Sequence, residues 1–210
     1  MRSELCVLAV LACVLIACSG TPRGKPDNGP VRVRVATSAG DITLELDPAR
    51  APITVANFLK YADAGAYDGT IIHRVVAGFV IQGGGWTPDL KERAKEAAAA
   101  GRPDVPIRNE WGNGLKNERG TIAMAREEAP DTAAREFFIN LADNARLDAA
   151  RPTTGNAGYA VFGRVLTGMD VVDRIAAAPT RSVEVPGVTD GSMQNVPAEP
   201  VVIRKVSRVR

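Results

Sequence analysis

Cysteine and histidine are scarce in this 210-residue chain. Its three cysteines all lie within the first eighteen residues, and His73 is its one histidine. The rest of the chain therefore cannot form an internal disulfide or a thiolate metal site. With one histidine, a zinc site would need carboxylates for all its other protein ligands. We therefore expect neither a structural metal nor a cofactor.

Neither sign of charge dominates the sequence. It has 26 basic and 24 acidic residues, for a formal net charge of +2. Proteins that bind nucleic acid usually concentrate their basic residues on one surface. Here the basic residues are separated or interleaved with acidic ones, so we expect no nucleic-acid partner. With 45% hydrophobic residues, the chain suits one globular domain with a short accessory segment, and nothing in it indicates more than a monomer.

An unbroken apolar run, Val7 to Ala17, lies near the N-terminus and follows the positive charge of Arg2. It is shorter than the roughly 20 residues of a membrane-spanning helix and is typical of an export signal. The segment Leu15-Ile16-Ala17-Cys18 resembles a bacterial lipobox, in which the cysteine is lipid-modified and becomes the new N-terminus. We therefore predict a lipoprotein signal peptide over residues 1–17 and a lipid anchor at Cys18.

The residues after Cys18 indicate in which membrane the protein is anchored and how its folded part is linked to the anchor. Ser19 stands where an aspartate would indicate retention in the inner membrane, which favours the periplasmic side of the outer membrane. The alternative is cleavage after Ser19, which would leave a soluble periplasmic protein. Residues 18–30 contain three prolines, three glycines and no large apolar side chain, so we interpret them as a flexible tether.

The regular spacing of apolar residues identifies residues 31–210 as the folded part of the chain. Apolar and polar residues alternate over 31–36 and 42–46, which predicts a β-hairpin. The spacing then changes to i, i+3, i+4, i+7 over 51–62, which predicts an amphipathic helix. Further strands are predicted at 121–125, 137–141, 160–165 and 200–206, a second helix at 169–177, and an exposed insertion or short surface helix at 91–100. Many short strands with two helices favour a closed or nearly closed antiparallel barrel.

The most informative segment runs from Ile72 to Gly85. It places His73 and Arg74 on an apolar strand and Gln82 on the next strand, before three glycines. An unpaired polar group buried among such strands costs about 1–3 kcal/mol, so these side chains indicate a site. Taken alone, His73 is more often a satisfied buried histidine and Gln82 could simply pair strands. Arg74 is harder to place on an apolar strand without a function.

This segment resembles the signature of the cyclophilin family of peptidyl-prolyl cis-trans isomerases, in which His-Arg, Phe and Gln recur at this spacing. The resemblance covers the chain from about Val31 to its C-terminus and is greatest to bacterial exported members. It implies a mainly β fold, a closed antiparallel eight-stranded barrel capped by two helices. Further blocks match in the same order at Tyr67–Thr70, Asn113–Ala125, Phe137–Asn140, Leu147–Asp148 and Gly158–Gly163.

The resemblance implies an enzyme that rotates X–Pro peptide bonds, against a barrier of about 18–20 kcal/mol. In the twisted transition state the prolyl nitrogen becomes a hydrogen-bond acceptor, so a fixed guanidinium favours that state over the planar ground state. Arg74 is the expected catalytic residue, and no nucleophile, metal or proton transfer is needed. The expected substrate-binding residues are His73, Phe79, Val80, Gln82, Ala125, Arg126, Glu136, Phe138, Leu147 and Tyr159.

The expected substrates are proline-containing segments of unfolded exported proteins. The resemblance places Gln82 against the substrate carbonyl and His73 at the pocket floor. One alternative is a non-catalytic module or chaperone that holds proline-containing segments in the same groove, although it would not need the guanidinium. A hydrolase built on Glu110, Glu136 or Asp148 lacks a convincing paired acid and base.

The sequence departs from the family pattern at several positions, and two of these departures bear on activity and inhibition. Glu136 replaces a glutamine that commonly faces the catalytic arginine, and we hypothesise that it pairs with Arg74. The alternative is that Arg135 draws the Glu136 carboxylate away. Arg146 occupies the position of a tryptophan in cyclosporin-sensitive members, so the resemblance implies weak cyclosporin binding.

Overall fold

Ten strands and three α-helices form the regular structure of residues 29–101, 103–186 and 191–209, the part of the chain that the computed structural model describes. The predicted signal peptide, Cys18 and most of the predicted tether lie outside the described residues. In chain order the elements are β1 (Val31–Thr37), β2 (Gly40–Leu46), α1 (Pro52–Asp63), β3 (Thr70–Val76), β4 (Val80–Gly83), α2 (Arg93–Ala99), β5 (Thr121–Met124), β6 (Phe137–Asn140), β7 (Val161–Thr167), α3 (Met169–Ala176), β8 (Thr180–Glu184), β9 (Ser192–Pro197) and β10 (Val201–Arg208).

Eight of the strands close into an antiparallel barrel, in the order β1-β10-β3-β4-β6-β5-β7-β2. This confirms the predicted mainly β, eight-stranded closed barrel. Closure pairs every barrel strand on both sides and so leaves no exposed sheet edge. The strands β8 and β9 form a separate two-stranded sheet, which the sequence pattern did not predict.

The helices α1 and α3 correspond to the two predicted helices, while α2 forms in the alanine-rich segment and buries none of its residues. Proline at the first turn of α1 suits a position whose N–H has no intrahelical acceptor. The Glu110 carboxylate accepts the backbone N–H of Ile53 and of Thr54, at 3.2 and 2.8 Å. Its charge also complements the positive end of the α1 dipole. Within the described ranges, no helix is long and apolar enough to cross a membrane.

The main core is built around the aromatic ring of Phe58 on α1, which is fully buried. Its centroid lies 5.1 Å from that of Tyr67, 5.7 Å from that of Phe137 and 5.3 Å from that of Phe162. Alternate residues of β1 and β2, such as Val33 and Leu44, complete the core because their side chains share one face of the sheet. The helix α1 is therefore fixed to β6, to β7 and to the turn that precedes β3.

Replacing Phe58 by alanine should lower the free energy of unfolding by about 3–5 kcal/mol, because the lost ring leaves a cavity among three aromatic neighbours. Urea denaturation measures this change. The matched control is Leu166→Ala on β7, where the side chain is 40% exposed and the change should stay within about 0.5 kcal/mol. A similarly small effect for Phe58→Ala would contradict the assignment of this ring to the centre of the core.

Candidate active site

A second apolar cluster lies on the outer side of the barrel wall, apart from the main core. Successive strand residues point to opposite faces, so Ile81 and Ile139 enter the core while Val80 and Phe138 face the second cluster. The buried members of the cluster are Val80, Ala123, Phe138, Leu147 and Val161, and the half-buried ones are Phe79, Leu115, Ala125 and Tyr159. Six of the predicted substrate-binding residues thus meet in this second apolar cluster.

A β-bulge on β3 brings two consecutive polar residues to the same side of the sheet. The pairing of β3 with β4 shifts between Ile72 and Arg74, which leaves His73 as the extra residue. As a result His73 and Arg74 both reach towards the side chains beside the apolar cluster, whereas a regular strand would send them to opposite faces.

The Arg74 guanidinium lies half-buried at the edge of the cluster. Its Nη1 donates a long hydrogen bond of 3.4 Å to Oε1 of Gln82, the one hydrogen bond of this side chain among the described residues. Burial lowers the pKa of Arg74, and the neighbouring Tyr159 opposes that shift. The guanidinium stays charged because its ordinary pKa is so high. Since only one of its five N–H donors has a partner in the described residues, the others are free for a ligand.

The Glu136 carboxylate does not contact Arg74, and the hypothesis that the two residues pair is wrong. Its Oε2 instead accepts a 2.7 Å hydrogen bond from Nε2 of Gln82 and lies 3.4 Å from Nε2 of His73. Burial raises the pKa of Glu136, but the electrostatic interaction with His73 and hydrogen bonds from His73, Gln82 and Trp86 outweigh it, so the pKa lies below its usual value.

Arg135 does not draw Glu136 away either. Its guanidinium is buried and donates two hydrogen bonds to Asp104, at 2.6 and 2.5 Å. It also stacks against Tyr61, with Cζ 5.2 Å from the ring centroid. Arg135 and Glu136 therefore have different partners.

Arg126, which the sequence analysis placed among the substrate-binding residues, is already saturated by the protein. Its Cζ lies 4.5 Å from the centroid of the Tyr159 ring, so the guanidinium supports that ring from behind. The backbone carbonyls that accept its N–H groups belong to Glu127, Glu128, Thr154, Ala157 and Gly158. The structure thus indicates that Arg126 fixes a pocket wall, while direct substrate contact stays a prediction.

A chain of hydrogen-bonded asparagine side chains connects the backbone of Phe79 with the carboxylate of Asp148, beside the second apolar cluster. The sequence analysis assigned these asparagines no role. Asn144 donates to the backbone oxygen of Phe79 at 3.0 Å and to Asn140 at 2.8 Å. Asn140 donates to Asn117 at 3.1 Å, and Asn117 donates to the carboxylate of Asp148 at 2.8 Å. The sequence did contain an indication of these hydrogen bonds, because Asn140 ends an apolar strand and its polar side chain needs partners there.

Comparison with known proteins agrees with this geometry. Residues 32–208 match the family model described as cyclophilin type peptidyl-prolyl cis-trans isomerase/CLD. The chain is 45% identical over 178 residues to peptidyl-prolyl cis-trans isomerase A of Dickeya dadantii, covering 85% of this chain and 84% of that one. It is 49% identical over 171 residues to peptidyl-prolyl cis-trans isomerase cyp18 of Streptomyces antibioticus, covering 81% and 94%.

The fold is also that of solved structures. A crystal structure of a cyclophilin type peptidyl-prolyl cis-trans isomerase from Cryptosporidium parvum superposes with a TM-score of 0.66 at 23% identity, covering 86% of this chain and 98% of that one. Since the family model spans the whole barrel and relatives at this level of identity carry the same name, this chain belongs to the cyclophilin family and is a peptidyl-prolyl cis-trans isomerase.

Proposed function

We propose that this isomerase uses Arg74 to accelerate X–Pro rotation in exported or envelope polypeptides, while a lipid on Cys18 holds it at the bacterial envelope. The observation that carries the first part is the half-buried Arg74 guanidinium, which has one long hydrogen bond and borders the second apolar cluster. The second part rests on the sequence of the first thirty residues.

The reaction needs an environment that favours the twisted amide over the planar one. Twisting breaks the amide resonance, so the carbonyl loses polarity while the prolyl nitrogen gains a usable lone pair. An apolar floor of Val80, Phe138 and Leu147 suits the less dipolar state. A guanidinium aimed at the nitrogen stabilises the transition state and has little to bind in the ground state.

The size of the effect follows from one charged hydrogen bond, which contributes about 1.5–3 kcal/mol. That corresponds to a rate factor of about ten to one hundred. Uncatalysed isomerisation takes about 10–100 s at room temperature, so Arg74 alone would shorten it to seconds or less. The second apolar cluster supplies the remainder by binding the proline ring and excluding water.

Two rival functions fit the residues less well. A module that only held proline-containing segments would not need a charged, half-buried Arg74. A hydrolase would need a free acid and a free base, but Glu110 is engaged by the first turn of α1 and Asp148 accepts two hydrogen bonds from Asn117.

The location is supported by the order of the N-terminal segments. A short apolar run ends directly at the lipobox, and the predicted tether then leads into the barrel at Val31. Ten to twelve extended residues span at most about 40 Å, so a lipid at Cys18 would keep the pocket close to the membrane surface. Proline-containing proteins that cross or insert into that membrane are then the substrates within reach.

Replacing Arg74 by alanine should lower kcat/KM for an X–Pro peptide about tenfold to hundredfold, because the transition state loses its charged donor. NMR exchange spectroscopy measures both the rate and peptide binding. The matched control is Arg34→Ala, since that side chain is 52% exposed and pairs with Asp41 on the far side of the barrel. Equal activity in the wild type and Arg74→Ala would contradict the role of Arg74.

The anchor is tested with the full-length chain expressed in a bacterium that has an outer membrane. We expect the wild type in the membrane fraction, carrying acyl chains detectable by mass spectrometry. Cys18→Ser should appear without lipid, because serine offers no thiol for the diacylglycerol. Unlipidated wild-type protein in the periplasmic fraction would show that the signal is an ordinary secretory one.

Cyclosporin should inhibit this isomerase weakly. The exposed Arg146 guanidinium lies 4.3 Å from the centroid of the Phe79 ring, where an apolar ligand would have to displace or desolvate it. Arg146→Trp should tighten inhibition by supplying a flat apolar face and an indole N–H, as measured by titration of the isomerase activity. A submicromolar inhibition constant for the wild type would contradict this account.

A further inference from the structure

The amide of Gln82 lies between a group that can only accept hydrogen bonds and a group that can only donate them. Its Nε2 donates to the Glu136 carboxylate at 2.7 Å, and its Oε1 accepts from Nη1 of Arg74 at 3.4 Å. An ionised carboxylate has no proton to donate, and a guanidinium has no lone pair to accept with. Both neighbours therefore select the same orientation of the amide.

The opposite orientation would lose both hydrogen bonds. It would point the Gln82 nitrogen at Arg74, donor against donor, and its oxygen at Glu136, acceptor against acceptor. A neutral glutamine at position 136 would not discriminate in this way, because its own amide can present either an oxygen or an NH₂ group. The charge at position 136 thus decides whether Gln82 offers Arg74 an acceptor.

The Glu136 carboxylate is itself held in place from several sides. The Nε2 atom of His73, whose ring is buried, lies 3.4 Å from the same oxygen that accepts from Gln82. A Cβ atom at Gly85 would collide with this carboxylate, so the glycine leaves the space it occupies. The backbone oxygen of Glu136 accepts from the N–H of Ala125 at 2.9 Å. The carboxylate is therefore a fixed reference for the amide.

We propose that Glu136 is a positioning residue, whose carboxylate fixes the Gln82 amide so that its oxygen orients the Arg74 guanidinium towards the prolyl nitrogen. It takes the place of the direct pairing with Arg74 that the sequence suggested. The inference rests on the proposed role of Arg74 and assigns Glu136 no direct contact with substrate. It also gives the Gln82 amide to Arg74 and Glu136, in place of the contact with the substrate carbonyl that the resemblance implied.

A positioning role predicts a particular kinetic signature. Arg74 acts on the nitrogen that becomes an acceptor in the twisted state, so a badly oriented guanidinium weakens binding of the transition state and not of the planar substrate. Loss of the Glu136 charge should therefore lower kcat and leave KM nearly unchanged. A residue that bound the substrate directly would change KM.

A second signature is an activity loss in acid. The pKa of Glu136 lies below its usual value, so the carboxylate persists through mildly acidic pH and is protonated only as the pH falls through that lowered pKa. Once protonated, the carboxyl group can donate to the Gln82 oxygen and no longer selects one orientation. The titratable or charged groups around it are His73 from β3, 3.4 Å away, and those that line one polar pocket together with Glu136, namely Glu92, Asp104, Arg126, Glu127 and Arg135.

The experiment compares Glu136→Gln with Glu127→Gln, by NMR exchange spectroscopy on an X–Pro peptide across acidic and neutral pH. Both variants remove one negative charge from the same polar pocket, but the hydrogen bonds of Glu127 within the described residues are made by its backbone and not by its carboxylate. We expect Glu136→Gln to lower kcat about threefold to tenfold at neutral pH, equivalent to about 0.6–1.4 kcal/mol. KM should stay nearly the same, and Glu127→Gln should behave as the wild type.

Two further variants separate the possible failures. Glu136→Asp keeps an acceptor-only group and should retain more of kcat than Glu136→Gln, whereas a purely structural defect would affect both. The wild type should lose kcat in acid as the Gln82 side-chain NH₂ resonances shift, and Glu136→Gln should lack that limb. Wild-type kcat, a changed KM or an unaltered acid limb in Glu136→Gln would overturn the proposal. Full activity in Arg74→Ala would overturn it together with the proposed mechanism.

Discussion

The pairing of β4 with β6 is the constraint on which both the barrel and its site depend. In this register Ile81 lies opposite Ile139 and enters the core, while Gln82 lies opposite Phe138 and faces the site. A slip of one residue would send every side chain to the other face. The apolar core thereby fixes the register, and the register places the apolar residues Val80 and Phe138 next to Gln82.

The site combines pocket walls whose polar side chains have hydrogen-bond partners with one charged side chain that has few. The side chains of Arg126 and of the asparagines at 117, 140 and 144 donate hydrogen bonds to backbone and side-chain acceptors, which fixes the pocket walls. Arg74 differs because it has a single long hydrogen bond within the described chain. A rigid pocket with one oriented charged donor can favour a twisted amide without covalent chemistry.

Much of the fold followed from local periodicity, and the pocket members followed from the family resemblance. The alternation in β1 and β2 and the helical spacing of α1 depend on neighbours along the chain, so the sequence alone was enough. The partners of Glu136 depend on contacts with a residue 54 positions away and on a bulge at His73, which local patterns do not encode. The β8–β9 sheet was missed for a similar reason, because its strands carry little apolar alternation.

The most direct test of the account is a crystal structure of the domain with a bound X–Pro peptide. The account predicts the proline ring against Val80, Phe138 and Leu147, with the Arg74 guanidinium facing the prolyl nitrogen and Gln82 between Arg74 and Glu136. A proline ring seated elsewhere on the barrel, or a guanidinium turned away from the prolyl nitrogen, would contradict it.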